Sequence, residues 1–138
     1  MEKMTQELAE MEAGWKRALA DYKNLQNRIT EETEYVRLFS NEILIQNLLP
    51  VLDMIEMSCE HFEDPSLKMI KKEFEDVLKG TGVTEVEVDG KKFDSQKMEA
   101  LEMVEGEKDK VIKIGRKGYL LNGKLIRPAQ VFVGRGKE

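Results

Sequence analysis

Between Met1 and Leu49 there is no proline and a single glycine, Gly14, while apolar residues return at alternating spacings of four and three. They are Met4, Leu8, Met11, Trp15, Ala18, Tyr22, Leu25 and Ile29, and the frame continues through Val36, Phe39 and Ile43, broken only by Glu32. A heptad sustained this long predicts a narrow apolar seam on one long helix, the pattern that two helices bury by supercoiling. At ~1.5 Å rise per residue, residues 4–43 span roughly 60 Å. A lone helix of that kind leaves its seam wet, so a homodimer is expected. Its interface is Leu8, Met11, Trp15, Ala18, Tyr22, Leu25, Ile29, Val36, Phe39 and Ile43.

The seam is imperfect. With Leu8, Trp15, Tyr22, Ile29 and Val36 in one core position, the other holds Ala18, Leu25 and the misplaced Glu32. In a parallel pair Glu7 faces Glu12, which repels, and Asp21 faces Gln26, which is neutral. Gly14 costs a further ~1 kcal/mol relative to alanine. The expected pair is marginal and easily melted, and the pattern leaves its parallel or antiparallel sense open.

From Leu38 the apolar face widens to Phe39, Ile43, Leu44, Ile45, Leu48, Leu49, Leu52, Ile55, Cys59 and Phe62, a stripe suited to a bundle. Pro50 lies inside it and is expected to kink or interrupt the helix. Asp64-Pro65 reads as an N-cap and first residue of a new helix that turns Leu67, Ile70, Phe74, Val77 and Leu78 inward and stops at Gly80 and Gly82. Two such hairpins in a dimer make a four-helix bundle.

After Gly82 the period drops to two. Val83, Val86 and Val88 lead to the turn signal Asp89-Gly90, and Asp94 is placed to cap a short turn. Residues 101–105 read as a strand returned by a turn at 106–108 to Val111–Ile114. Tyr119–Leu121, Asn122-Gly123 and Leu125-Ile126 make a tight hairpin, and Val131–Val133 is the last strand, with 134–138 a frayed tail. The expected fold is α+β: a long coiled-coil helix (1–46), a helical hairpin (47–82) forming a four-helix bundle in the dimer, and a small all-β domain (83–138).

Composition narrows the function. One His (His61), one Cys (Cys59) and four Ser outside any nucleophile-elbow pattern offer neither a metal cluster nor a catalytic triad, so no enzyme and no cofactor are expected. A single cysteine suits a reducing compartment, no apolar run such as Ile43-Leu44-Ile45 is long enough to span a bilayer, and no leader pattern opens the chain, so a cytoplasmic interaction protein is expected. Gly118–Lys124 matches the spacing of a phosphate-cradling loop, but Leu125 stands where a magnesium-binding hydroxyl belongs, and the segment reads as a hairpin, not a strand-to-helix turn. His61 suits a helix C-terminus and Cys59 a small core position.

The net charge of -5 is unevenly spread. Residues 106–138 carry nine Lys/Arg against three acids, whereas residues 1–105 carry 13 against 24. A basic β module on an acidic stalk is placed to meet an acidic partner; alternatively its cations only solvate the strands. A coiled-coil dimer that binds nucleic acid through that module is the alternative of another class, although only Tyr119 and Phe132 offer stacking surfaces; an inert scaffold is a second.

Five strings in order carry a resemblance: Trp15–Ala18 with Tyr22–Leu25 and Arg28; Asn47–Asp53; Gly82-Val83; Phe93–Ala100; and Gly118–Val131. Together they resemble the GrpE family of nucleotide exchange factors over residues 13–135. Ser95 and Met98 stand where that pattern has Pro and His, which predicts a less rigid turn there, and the family's N-terminal extension is not part of the match. The resemblance implies a homodimeric, non-enzymatic co-chaperone whose β module docks on a DnaK-type heat-shock ATPase, opens its cleft and releases ADP. On the matching positions it implies partner contacts at Arg116, Lys117, Lys124, Gln130 and Val133, with Tyr119, Arg127 and Pro128 either in contact or holding the hairpin. Arg28 and Arg37 are the implied secondary contacts on the helix.

Overall fold

The structure, a computed structural model, describes residues 1–136. It is α+β. Helices α1 (Glu2–Phe39), α2 (Glu42–His61) and α3 (Pro65–Gly80) precede six strands: β1 (Val83–Glu85), β2 (Met98–Val104), β3 (Val111–Arg116), β4 (Tyr119–Leu121), β5 (Lys124–Arg127) and β6 (Ala129–Gly134). The chain divides into two units, one of Met1–Ser40 and one beginning at Asn41.

The first unit is α1. None of its residues is buried, and the seam side chains stand in solvent, Leu8 at 67%, Trp15 at 63% and Ile29 at 52% exposure. Its polar surface is laced by pairs one turn apart, Lys16–Glu12, Arg28–Glu32 and Arg37–Glu34, which support a helix without packing it.

In the second unit, Pro50 does not interrupt α2. The helix break lies at Ser40–Asn41, and α2 begins at Glu42. Ser and Asn bond readily to nearby backbone and favour such a break. The proline's cost of ~3 kcal/mol is borne because Ile45, Leu49 and Leu52, on either side of it, are buried. At the start of α3, Pro65 occupies the first turn and the Asp64 carboxylate accepts the Ser66 N–H at 2.9 Å, as the sequence predicts. Of the five residues expected to face inward on α3, Leu78 is buried and Leu67 and Phe74 are half-buried, but Ile70 and Val77 are exposed. Leu48, Ile70, Glu73, Phe74, Val77 and Leu78 line an open groove of about 340 Å³.

The strands form two sheets, ordered β1-β4-β5 and β2-β6-β3. Asn122 (φ 47°) and Gly123 (φ 86°) make the tight β4–β5 turn that the sequence predicts, and the stretch resembling a phosphate loop is this hairpin. Strands β2 and β3, expected to pair with each other, flank β6 instead, β2 in parallel and β3 antiparallel. β6 takes the centre because Ala129, Val131 and Val133 are all buried on one face, packed with Val86, Val88, Met98 and Val111. Residues 134–136, expected to fray, are held instead: the Arg135 N–H donates to Val104 O (2.9 Å) and the Gly136 N–H to Gly106 O (3.0 Å). Residues 137 and 138 lie outside the described residues.

Met98 fills the core at 5% exposure, and its Sδ accepts the Asp94 N–H at 3.5 Å. The Asp94 carboxylate accepts the Gln96 N–H and the Asp94 carbonyl that of Met98, so the Phe93–Ala100 turn closes without a proline at 95.

Candidate partner-docking surface

Glu42, Gln46, Asp53 and Glu56 share one face of α2 with Ile45, Leu49 and Leu52, because their spacings are those of successive helical turns. That face meets β5, the end of β3 and Lys117 just after it through polar contacts. Lys124 Nζ donates to Glu42 (3.0 Å), Gln46 Nε2 to the Ile126 carbonyl (2.9 Å) and Lys117 Nζ to Glu56 (2.9 Å). Asp53 is the centre of the row. Its Oδ2 accepts Arg127 Nη1 (2.6 Å) and Arg116 Nε (3.1 Å), and its Oδ1 accepts Arg127 Nη2 (2.8 Å). Arg127 is 8% exposed, its Nε donates to the Lys117 carbonyl (2.9 Å), and its guanidinium lies 5.2 Å from the centre of the Tyr119 ring.

Much of the positive charge read as outward-facing is thus turned onto the protein's own helix. Arg116, Lys117, Lys124 and Arg127 each meet an α2 acid. Tyr119 and Val133 are 6% and 3% exposed, so neither side chain is available to a partner as it stands. Gln130 remains half-exposed beside Glu99, and Arg28 and Arg37 belong to α1, each paired with a glutamate.

Burial, helped by Glu56 and Glu85 and opposed by Arg127, pushes the Tyr119 phenol well above its ordinary range. Burial works against the Lys117 charge, but the Glu56 hydrogen bond and the fields of Glu56, Glu85 and Glu75 prevail and raise it. Both groups hold their protons more tightly folded than unfolded, so their stabilisation is complete below the unfolded titration near pH ~10 and is lost above it. Thermal melts of the β signal should therefore be flat from neutrality to about pH 9 and fall beyond about pH 10. Tyr119→Phe should make that fall shallower; an unchanged slope would show that the phenol does not contribute.

The surface left open to a partner is the outer face of β2-β6-β3. Phe132 points away from the core that holds Val131 and Val133, and Lys113 Nζ lies 5.9 Å from its ring centre. A Cβ on Gly115 would fall 2.6 Å from Leu101 and 3.3 Å from Phe132, so the bare glycine lets these two side chains converge above the sheet. Leu101 (49%), Met103 (43%) and Ile112 (41%) are exposed apolar residues of the same two flanking strands.

The GrpE family model matches residues 1–135. The chain belongs to the GrpE family. It is 35% identical to Protein GrpE of Pseudomonas putida strain W619, over 94% of this chain and 79% of that protein. It is likewise 35% identical to Protein GrpE of Clostridioides difficile strain 630 (95% and 68% covered) and 32% identical to that of Thermoplasma volcanium (96% and 76%). GrpE is a co-chaperone and nucleotide exchange factor, and the long helix fits a coiled coil. Among the described residues, no helix of this GrpE chain is long and apolar enough to cross a membrane.

Sequence reasoning located the cations of the GrpE β module but missed their partners on α2. The available signal was the spacing of Glu42, Asp53 and Glu56, which sets three acids on the apolar side of an amphipathic helix, where solvation alone does not account for them. It also passed over Leu101 and Lys113, and named Phe132 only as a stacking surface for the nucleic-acid alternative. Gly115, a glycine inside a strand, was the local sign that side chains cross there.

Proposed function

We propose that this chain acts as a homodimer that docks its β module on the ATPase domain of a DnaK-type chaperone, holds the nucleotide cleft open and so releases ADP. An exchange factor of this kind needs no chemistry of its own. It binds the open conformation better than the closed one, shifts that population, and is itself weakened by ADP to the same degree. The observation that carries the reading, beside family membership, is the apolar cluster of exposed Leu101 and half-buried Phe132 with Lys113 beside it.

Gln130 belongs to this docking face, and Arg116, Lys117 and Lys124 form its rim towards α2. Val133 supports it from beneath, Tyr119 and Arg127 hold the β4–β5 hairpin, and Arg28 and Arg37 on α1 supply the secondary contact. Dimerisation is through the α1 seam, with the α2–α3 groove closing a four-helix bundle against its copy. Ion pairing of Arg116, Lys117, Lys124 and Arg127 with α2 removes much of the positive stripe on which nucleic-acid binding depends.

The test is stopped-flow release of a fluorescent ADP analogue from a DnaK-class ATPase. The wild-type chain should accelerate release, and a folded, dimeric Leu101→Asp, Lys113→Glu variant should need about thirtyfold more protein for the same effect. No acceleration by the wild type with a cognate ATPase sinks the exchange reading. Full activity of the double variant moves docking off this face.

A further inference from the structure

The β module joins the helical hairpin covalently only through Thr81 and Gly82, and Gly82 has φ of 95°. Positive φ at a glycine marks a place where a chain can turn, and here its N–H donates to the Lys79 carbonyl (3.1 Å) and its carbonyl accepts the Asn122 N–H (2.9 Å), so rotation about it has two backbone bonds to break. Apolar contact does little to stop this, because it is non-directional. Orientation comes from the polar row on α2, which runs from Glu42 to Glu56, roughly 21 Å along the helix. Its outer members are extended lysines, and the Lys124 side chain is 43% exposed. Within the row only the Asp53–Arg127 pair is bidentate, with the Arg127 side chain the least exposed of the cations at 10%, and Arg116 holds the same carboxylate from a second strand.

We propose that Asp53 is a positioning residue for nucleotide exchange, fixing the β module on α2 so that force developed at the docking face reaches the helices instead of being lost in rotation about Gly82. The proposal rests on the exchange reading above. It predicts a division of effects: docking centres on Leu101 and Phe132 of the outer face of β2-β6-β3, which Asp53 meets only at the rim residue Arg116, whereas holding the cleft open needs the whole second unit to act as one body.

The experiment uses the full-length dimer in a Cys59→Ser background, spin-labelled through Lys68→Cys on α3 and Glu105→Cys after β2, and diluted with unlabelled chain. Asp53→Asn, which keeps shape but not charge, should broaden the interspin distance distribution. In the release assay it should lower the maximal rate about tenfold while the half-saturating concentration moves less than about threefold. Asp53→Glu should restore most of the rate. If Asp53→Asn does not fold, Arg127→Lys, which keeps charge but loses the fork, takes its place with the same expectations. A distribution as narrow as wild type overturns the proposal, as does a broadened one with an unimpaired maximal rate. If the wild type gives no acceleration, the exchange reading fails by itself, and the distance measurement still decides whether Asp53 holds the module.

Discussion

A Gly118→Ala chain should lose about 3 kcal/mol of stability in its second unit, at the upper end of ordinary overpacking. A Cβ at this position would lie 2.4 Å from the Ala129 nitrogen, 2.9 Å from its Cα and 2.9 Å from the Arg127 carbonyl oxygen. All three are backbone atoms, so no side-chain rotamer relieves the clash. The obstructing segment is the crossing from β5 to β6, where the chain leaves one sheet for the other. Gly118 also accepts the Val86 N–H on its carbonyl at 2.9 Å, which fixes it from the opposite side. Denaturant unfolding followed by the β signal measures the effect. Gly14→Ala is the contrasting control: no heavy atom lies within 4 Å of its added Cβ, and the change should stabilise α1 by up to about 1 kcal/mol. A Gly118→Ala midpoint equal to wild type would show that the β5–β6 crossing yields easily and that the two sheets are not braced there.

The features legible in the sequence are those whose cause is local. Asp64-Pro65 starts α3 because a capping carboxylate and a preset φ act within one turn, and Asn122-Gly123 closes the β4–β5 hairpin because both residues tolerate positive φ. The heptad of α1 is of the same kind. Pairing of β2 with β6 is not, since Met98 meets Ala129 across thirty-one intervening steps of chain and no turn residue records it. The order of strands favoured a β2–β3 hairpin, and only burial of alternate residues along β6 decides against it. Pro50 shows the same limit from the other direction: its local penalty is real, but Leu49 and Leu52, wholly buried, outweigh it.

The candidate site was half legible for a related reason. Charge can be counted from sequence, but whether a cation faces water or its own chain depends on tertiary placement. The excess of nine Lys/Arg over three acids after residue 105 pointed to an outward basic face. In the fold, Arg127 and Arg116 converge on Asp53 instead, and the open surface is the apolar one around Phe132. Four of those nine cations, Arg116, Lys117, Lys124 and Arg127, thus serve to mount the β module on α2.

A Leu25→Glu, Ile29→Glu chain should be monomeric under conditions in which the wild type is a dimer, with a dissociation constant raised at least about a thousandfold, or about 4 kcal/mol. In the single chain these side chains are 48% and 52% exposed and α1 buries nothing, so a 38-residue helix has no packing of its own to hold it. Pairing along the heptad is the remedy available, and each large seam residue then contributes ~1.5–3 kcal/mol on burial. The double variant removes that gain at two adjacent seam positions and sets four carboxylates against one another across the dimer. Glu32→Leu is the converse. It repairs the break in the seam at the loss of one exposed pair with Arg28, at 3.5 Å, which is worth little. It should raise the melting temperature of the helical signal, and because the second unit has its own buried core, its β signal should melt as before in both variants. Sedimentation equilibrium with two-wavelength melts reads all of this. If Leu25→Glu, Ile29→Glu leaves the dimer intact, the seam is not the principal interface, and the burden passes to the groove of Ile70, Phe74 and Val77 on the hairpin.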